Sequence, residues 1–235
     1  SMILLGPGTS ITQDVFRLCA RHGTLLAAVG EAGVKSYTAV PLGQGRSDVA
    51  RAHAERWADP KRRLDTARRL YAWRFGRVLP HREIETLRGI EGSRMKESYK
   101  LVAARFGITW GGRRYDRDNP GAADLPNQAI NHAVTFVEAA ADIAVAAVAA
   151  LPPLGFIHED SANAFTLDIA DLYRVDVTLP LAFAAVRAVQ DKPTENLERE
   201  IRRRAAKVFR QEKLIPRMID RIKELFDVDD RRGDA

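Results

Sequence analysis

Three short stretches of the sequence combine residue types able to do chemistry. The first runs from Leu87 through Gly89, Glu91 and Gly92 to Arg94, a glutamate set among glycines inside a run whose apolar spacing is otherwise helical. Each glycine costs a helix roughly 1 kcal/mol relative to alanine. Close approach of backbone or ligand would justify that cost; a local kink beside an exposed Glu91 is the plain alternative. The second stretch is Gly155-Phe156-Ile157-His158, just after Pro152-Pro153. It puts a histidine on a loop, where catalytic groups concentrate, although a lone histidine is also a common structural residue. The third is Asp168-Ile169-Ala170-Asp171. Spacing of three sets both carboxylates on one helix face, and acids on an apolar face repel unless a cation or proton joins them. A helix cap followed by a first-turn acid is the alternative there. One Glu, one His and one or two Asp form a hard oxygen and nitrogen ligand set that suits Mg²⁺ or Mn²⁺ better than zinc.

The elements that must position these residues follow from periodicity and punctuation. An apolar run at 3–5 precedes the turn Gly6-Pro7-Gly8, and residues 11–21 suit a short helix. Residues 24–29 and 34–40 are apolar or β-branched and joined by a Gly-containing stretch, as in a hairpin. Pro41 to Gly45 marks a boundary. Helical patterns then cover 47–58, 60–75, 81–106, 127–150, 167–189 and 195–226, with a loop rich in Gly, Arg and Asp at 107–124. The expected fold is mainly α, preceded by a small β-rich (α+β) segment. Its divisions are 1–44, 45–226 and a frayed tail at 227–235.

Composition narrows the function classes. The 235 residues are 46% hydrophobic, which excludes a disordered chain, and hold one cysteine, which excludes a disulfide framework or Cys-based zinc finger. The longest apolar stretch, 143–157, contains two prolines and falls short of the ~18–20 residues a spanning helix needs. No membrane role and a cytoplasmic location are therefore expected. Dinucleotide, P-loop, zinc-protease and nucleophile-elbow motifs are all missing. Net charge is +6, but its distribution says more. Residues 45–118 carry +9 and 192–226 carry +5, while 119–191 carry −7 and hold His158, Asp168 and Asp171. Two basic arms around an acidic, apolar middle suit a phosphate-binding surface around a carboxylate metal site; a solvated basic face around a plain core produces the same pattern.

Taken in order, these segments resemble the CRISPR-associated Cas-one integrase family, most closely its type I-E branch. The matching text is Gly23 to Leu26, Val29 to Val34, Leu87 to Arg94, Thr109 to Asp116, Asn127-Gln128, Gly155 to His158 and Asp168 to Asp171. The resemblance spans about residues 3–225 and implies an N-terminal β-rich domain followed by a helical catalytic domain. On that alignment the sequence opens inside the β domain, so a shortened N-terminus is expected. Residues 1–44 would be the remnant of a domain that serves dimerisation and DNA contact.

The resemblance implies that Glu91, His158 and Asp171 are catalytic and hold Mg²⁺ or Mn²⁺, with Asp168 in the same metal set. It implies DNA contacts at Arg17, Lys35, Arg113, Arg114, Tyr115, Arg199 and Arg202. The implied reaction inserts protospacer DNA into the CRISPR array during spacer acquisition, an antiviral defence. A 3′-hydroxyl attacks a phosphodiester at the repeat edge. The implied partners are double-stranded DNA, a Cas-two protein and, in the full-length protein, a second copy. A structure-specific, metal-dependent nuclease on branched DNA is one alternative. A catalytically silent DNA-binding scaffold is another.

Overall fold

The computed structural model describes residues 2–30, 35–40, 47–81, 83–114, 123–194 and 196–228. It is mainly α, with a small sheet at its start. Strand β1 (Met2–Leu5) leads through helix α1 (Gln13–Arg21) into β2 (Leu25–Val29), and β1 and β2 pair in parallel. Strand β3 (Ser36–Val40) completes the sheet antiparallel to β2, as the hairpin pattern anticipates, with an irregularity at Ala28/Val29. The parallel partner of the 3–5 run is the part the local pattern does not specify.

Helices α2 (Asp48–Ala58) and α3 (Pro60–Phe75) follow. Asp59 caps α3 by accepting the Arg62 amide at 2.9 Å, with Pro60 at its first turn, and Gly76 ends it in the left-handed region. Helix α4 (Ile84–Arg105) carries Glu91. Among the described residues, nothing beyond the helix's own adjacent backbone comes within 4 Å of a Cβ added at Gly89 or Gly92. The close approach considered at these glycines is therefore not made by another described segment of the chain.

Helix α5 (Leu125–Ala147) is the hub, packing against β3 and the helices that follow. Its alanines let neighbours approach closely, and twelve of its residues are buried. It is the one helix among the described residues long and apolar enough to cross a membrane, yet 61% of that stretch is buried inside the protein. Ala27, Val29 and Ile143 tie the sheet to it.

The expected helix at 167–189 is broken in two. It becomes α6 (Ala164–Asp171), a π-helical turn at Arg174–Thr178, and α7 (Leu179–Asp191). The expected run to 226 likewise divides into α8 (Leu197–Gln211) and α9 (Leu214–Leu225) at Lys213, whose φ is 50°. Just after α9, Asp227 pairs with Arg56 and Arg69, and Val228 packs on the core. Residues 229–235 lie outside the described residues.

Candidate functional site

The loop at 151–158 carries His158, and three layers of the fold hold it. From α2, His53 sits fully buried and bonds the Leu154 carbonyl through Nε2 at 2.7 Å, while the Leu151 amide donates to its Nδ1 at 3.2 Å. Those partners require the Nε2–H tautomer. The ring also packs on Phe156, Phe165 and Phe226, with centroids 4.4–5.3 Å away. Also from α2, Trp57 Nε1 donates to the Gly155 carbonyl at 3.1 Å. From α4, Arg88 Nη2 donates to the Ile157 carbonyl at 2.8 Å. Glycine is required at 155: a Cβ there would lie 2.0 Å from the His158 carbonyl oxygen and 2.7 Å from the Ala164 Cβ.

The third layer is α6. Asp168 is 0% exposed, and its two oxygens take four donors. Oδ2 accepts the Phe156 and Ile157 amides at 2.6 and 3.1 Å, and Oδ1 accepts the His158 amide at 3.0 Å and its Nδ1–H at 2.8 Å. The alternative of a helix cap does not hold: Asp168 lies inside α6, whose cap is Asn163. Both of its oxygens are engaged by the 156–158 loop, so it stands behind His158. A carboxylate only accepts, so it fixes the imidazole with Nδ1–H inward and Nε2 free to face outward.

That outward nitrogen lies 3.7 Å from Asp171 Oδ2. Glu91 of α4 joins the same point through Arg74, at the end of α3. Arg74 Nη2 is ion-paired to Glu91 Oε1 and lies 2.9 Å from Asp171 Oδ2. Arg174, on the π-helical turn, holds the other oxygen of Asp171, with its Nε at 3.0 Å from Oδ1 and its Nη2 also in contact. Glu91, Arg74 and Asp171 border a cavity of about 440 Å³ that also touches Trp73, Arg94 and Asp176, and His158 reaches the group through Asp171.

Burial raises the Glu91 carboxyl above its usual range despite Arg74, with the Asp171 charge acting in the same sense. Burial also penalises the Asp171 carboxylate, but Arg174, Arg74 and His158 outweigh it and hold the group below its usual range. Burial works against a charged His158, yet the bond to Asp168 and the charges of Asp171 and Asp168 lift it above its ordinary value. Nearby on α5, burial pushes Glu138 up to about 6, against the pull of Arg174. Two carboxylates on different helices and one imidazole nitrogen match a hard divalent cation in type. Among the described residues no three His, Cys, Asp or Glu side chains already form a metal-holding group; the cation joining the two carboxylates is an arginine.

The predicted DNA contacts lie elsewhere on the chain. Arg17 is exposed on α1, 3.5 Å from Asp14, and Lys35 lies over the Tyr37 ring. Arg113 reaches the side chains of Asn127 and Asn131, while the Arg114 amide bonds Asn127. Arg199 is exposed on α8 and Arg202 pairs with Glu198 at 2.5 Å. Tyr115 lies outside the described residues. Sequence reasoning missed His53, Arg74, Arg88 and Arg174; nothing in an arginine-rich run distinguishes the arginines that meet distant carboxylates.

His53 gives the site a measurable pH dependence. Burial lowers its pKa to about 4, against the Leu154 bond and the Asp168 charge, while the unfolded value is 6.5. Between these values the unfolded chain binds the extra proton. The contribution is therefore intact above the unfolded pKa and is lost as pH falls towards the folded one, at up to ~1.4 kcal/mol per pH unit. Urea unfolding of wild type and His53→Phe should show the stability gap narrowing by about 2 kcal/mol or more from pH 7 to 4.5. A gap that stays constant with pH contradicts the buried neutral imidazole.

No known protein-family model matches the chain. The CRISPR-associated endonuclease Cas1 of Escherichia coli (strain K12) is 37% identical over 225 residues, covering 95% of this chain and 72% of that protein. The CRISPR-associated endonuclease Cas1 2 of Thermus thermophilus is 38% identical over 228 residues, covering 96% and 68%. A crystal structure of a TtCas1–DNA complex superposes with a TM-score of 0.87 at 36% identity, over 99% of this chain and 84% of that one. Sequence and fold agree over nearly the whole chain: this chain belongs to the CRISPR-associated endonuclease Cas1 family.

Proposed function

We propose that the chain is a divalent-metal-dependent DNA integrase of the type I-E branch of CRISPR adaptation, acting in the cytoplasm with a Cas-two partner and a second copy of itself. In this reading it joins protospacer DNA to the CRISPR array. The observation that carries it is the meeting of Glu91 and Asp171 at the edge of a cavity, with His158 Nε2 3.7 Å from Asp171 Oδ2. Its kinship with proteins named endonucleases, and with one solved bound to DNA, supports the same reading.

Glu91, His158 and Asp171 are the residues that would hold Mg²⁺ or Mn²⁺. When bound, the ion would acidify an attacking hydroxyl and offset charge on the phosphate. Asp168 keeps the His158 Nε2 lone pair turned toward the site. Arg174 anchors Asp171 from behind and adds positive charge where phosphate charge grows. Gly89 and Gly92 leave bare backbone with open space on either side of Glu91, room for a DNA strand to come close. Arg17, Lys35, Arg113, Arg114, Tyr115, Arg199 and Arg202 would act mainly as phosphate contacts that position the duplex.

The test supplies Mn²⁺, Cas-two, a repeat-bearing plasmid and protospacer ends with or without a 3′-hydroxyl. Strand transfer predicts covalent joining that vanishes with 3′-deoxy ends. Cutting that persists with blocked ends favours the second reading, hydrolysis by water at the same site, which the endonuclease names of the relatives keep in view.

A further inference from the structure

The nitrogen shared by Glu91 and Asp171 belongs to Arg74, and its setting is unlike that of the neighbouring Arg174. Arg74 Nη2 contacts one oxygen of each carboxylate, and the Asp171 oxygen it uses, Oδ2, is the one 3.7 Å from His158 Nε2. It therefore stands between the two proposed carboxylate donors, on the Asp171 oxygen that also faces the third. Its other terminal nitrogen, Nη1, is buried without a hydrogen-bond partner, and the side chain is 8% exposed. A guanidinium placed for structure alone would spend its fork on acceptors; this one concentrates on a single shared point and leaves donors idle. Arg174 instead grips Asp171 Oδ1 through two nitrogens, Nε and Nη2.

We propose that Arg74 is a resident counter-cation of the metal site: it holds Glu91 and Asp171 together in the metal-free chain, and a divalent ion binds only by displacing its Nη2. The inference rests on the assignment of Glu91, His158 and Asp171 as the metal ligands. An ion held by both Glu91 Oε1 and Asp171 Oδ2 would have to occupy the space between them that Arg74 Nη2 fills, so the guanidinium and the ion exclude one another there. Arg174, on the far oxygen, need not move. Like charge lowers ion affinity from either arginine, but direct exclusion acts at Arg74 alone.

The test is Mn²⁺ titration of the full chain without DNA, followed by electron paramagnetic resonance of the free ion, in wild type, Arg74→Met, Arg174→Met and Arg74→Met/Glu91→Gln. Arg74→Met should tighten Mn²⁺ binding by about tenfold or more, and Arg174→Met by about threefold or less. No tightening at Arg74, or equal tightening at both arginines, overturns the proposal. If the tight binding survives Glu91→Gln, the ligand assignment itself fails and the proposal falls with it, an outcome distinct from the first. Should Arg74→Met not fold, Arg74→Lys replaces it, since a lysine cannot reproduce the planar fork. Mn²⁺ should then raise its melting temperature more than it raises that of wild type, and an equal rise counts against displacement.

Discussion

Exchanging Glu91 for glutamine is expected to lower strand joining by about 10³-fold or more while leaving the fold intact. The two side chains match in shape, so α4 and its packing are unchanged. The charge is what disappears, and with it a ligand of the divalent cation. Stability should hardly fall, because burial already raises the Glu91 carboxyl above its usual range and makes its ionised form the costly one at this position. With a raised folded-state pKa, ionised Glu91 weakens folding as pH rises, and glutamine removes that penalty. Joining is measured in single turnover with Mn²⁺, and folding by thermal melt. Wild-type joining by a well-folded Glu91→Gln protein would remove Glu91 from the chemistry.

The second large effect falls on a residue that touches no substrate. Asp168→Ala strips the acceptors from the Phe156, Ile157 and His158 amides and from the His158 ring in a fully buried setting. The expected loss of stability is about 3–5 kcal/mol, or a fall in melting temperature of about 10 °C. Joining should drop further than the folded fraction does, by about 10–100-fold in the protein that remains folded. Without the Oδ1 acceptor the imidazole loses both its tautomer preference and its aim at Asp171. Comparing joining below the melting temperature with the melt itself separates the two effects. A variant that melts like wild type would contradict the central bracing role given to this carboxylate.

Much of this arrangement is legible in the sequence. Apolar spacing places α1 to α5 close to their observed bounds, because each has a cap, a proline or a glycine where the pattern changes: Asp59-Pro60, Gly76, and Asp124 with Pro126. The break between α6 and α7 is marked only at its far end, by Pro180 in the first turn of α7. The π-helical turn at Arg174–Thr178 is built from residues that would also continue an α-helix, and it places Arg174 on Asp171. Lys213 gives no warning either, since a left-handed lysine is read from tertiary context rather than from residue type. In the site, residue types pointed to Glu91, His158 and Asp171. They also drew in Asp168, whose donors are mostly backbone amides and so invisible in a string of letters. Arg74 escaped for a related reason: its partner Asp171 is 97 positions away, and only the fold selects it from the basic run around it.

The most direct test of the account is a crystal of the chain soaked in Mn²⁺ and measured for anomalous scattering. A single strong peak is predicted, roughly 2.0–2.3 Å from oxygens of Glu91 and Asp171 and from His158 Nε2, with Asp168 still bonded to the loop and Arg74 moved off Asp171 Oδ2. A saturating soak that leaves Arg74 bridging Glu91 and Asp171, with manganese elsewhere or nowhere, would contradict it.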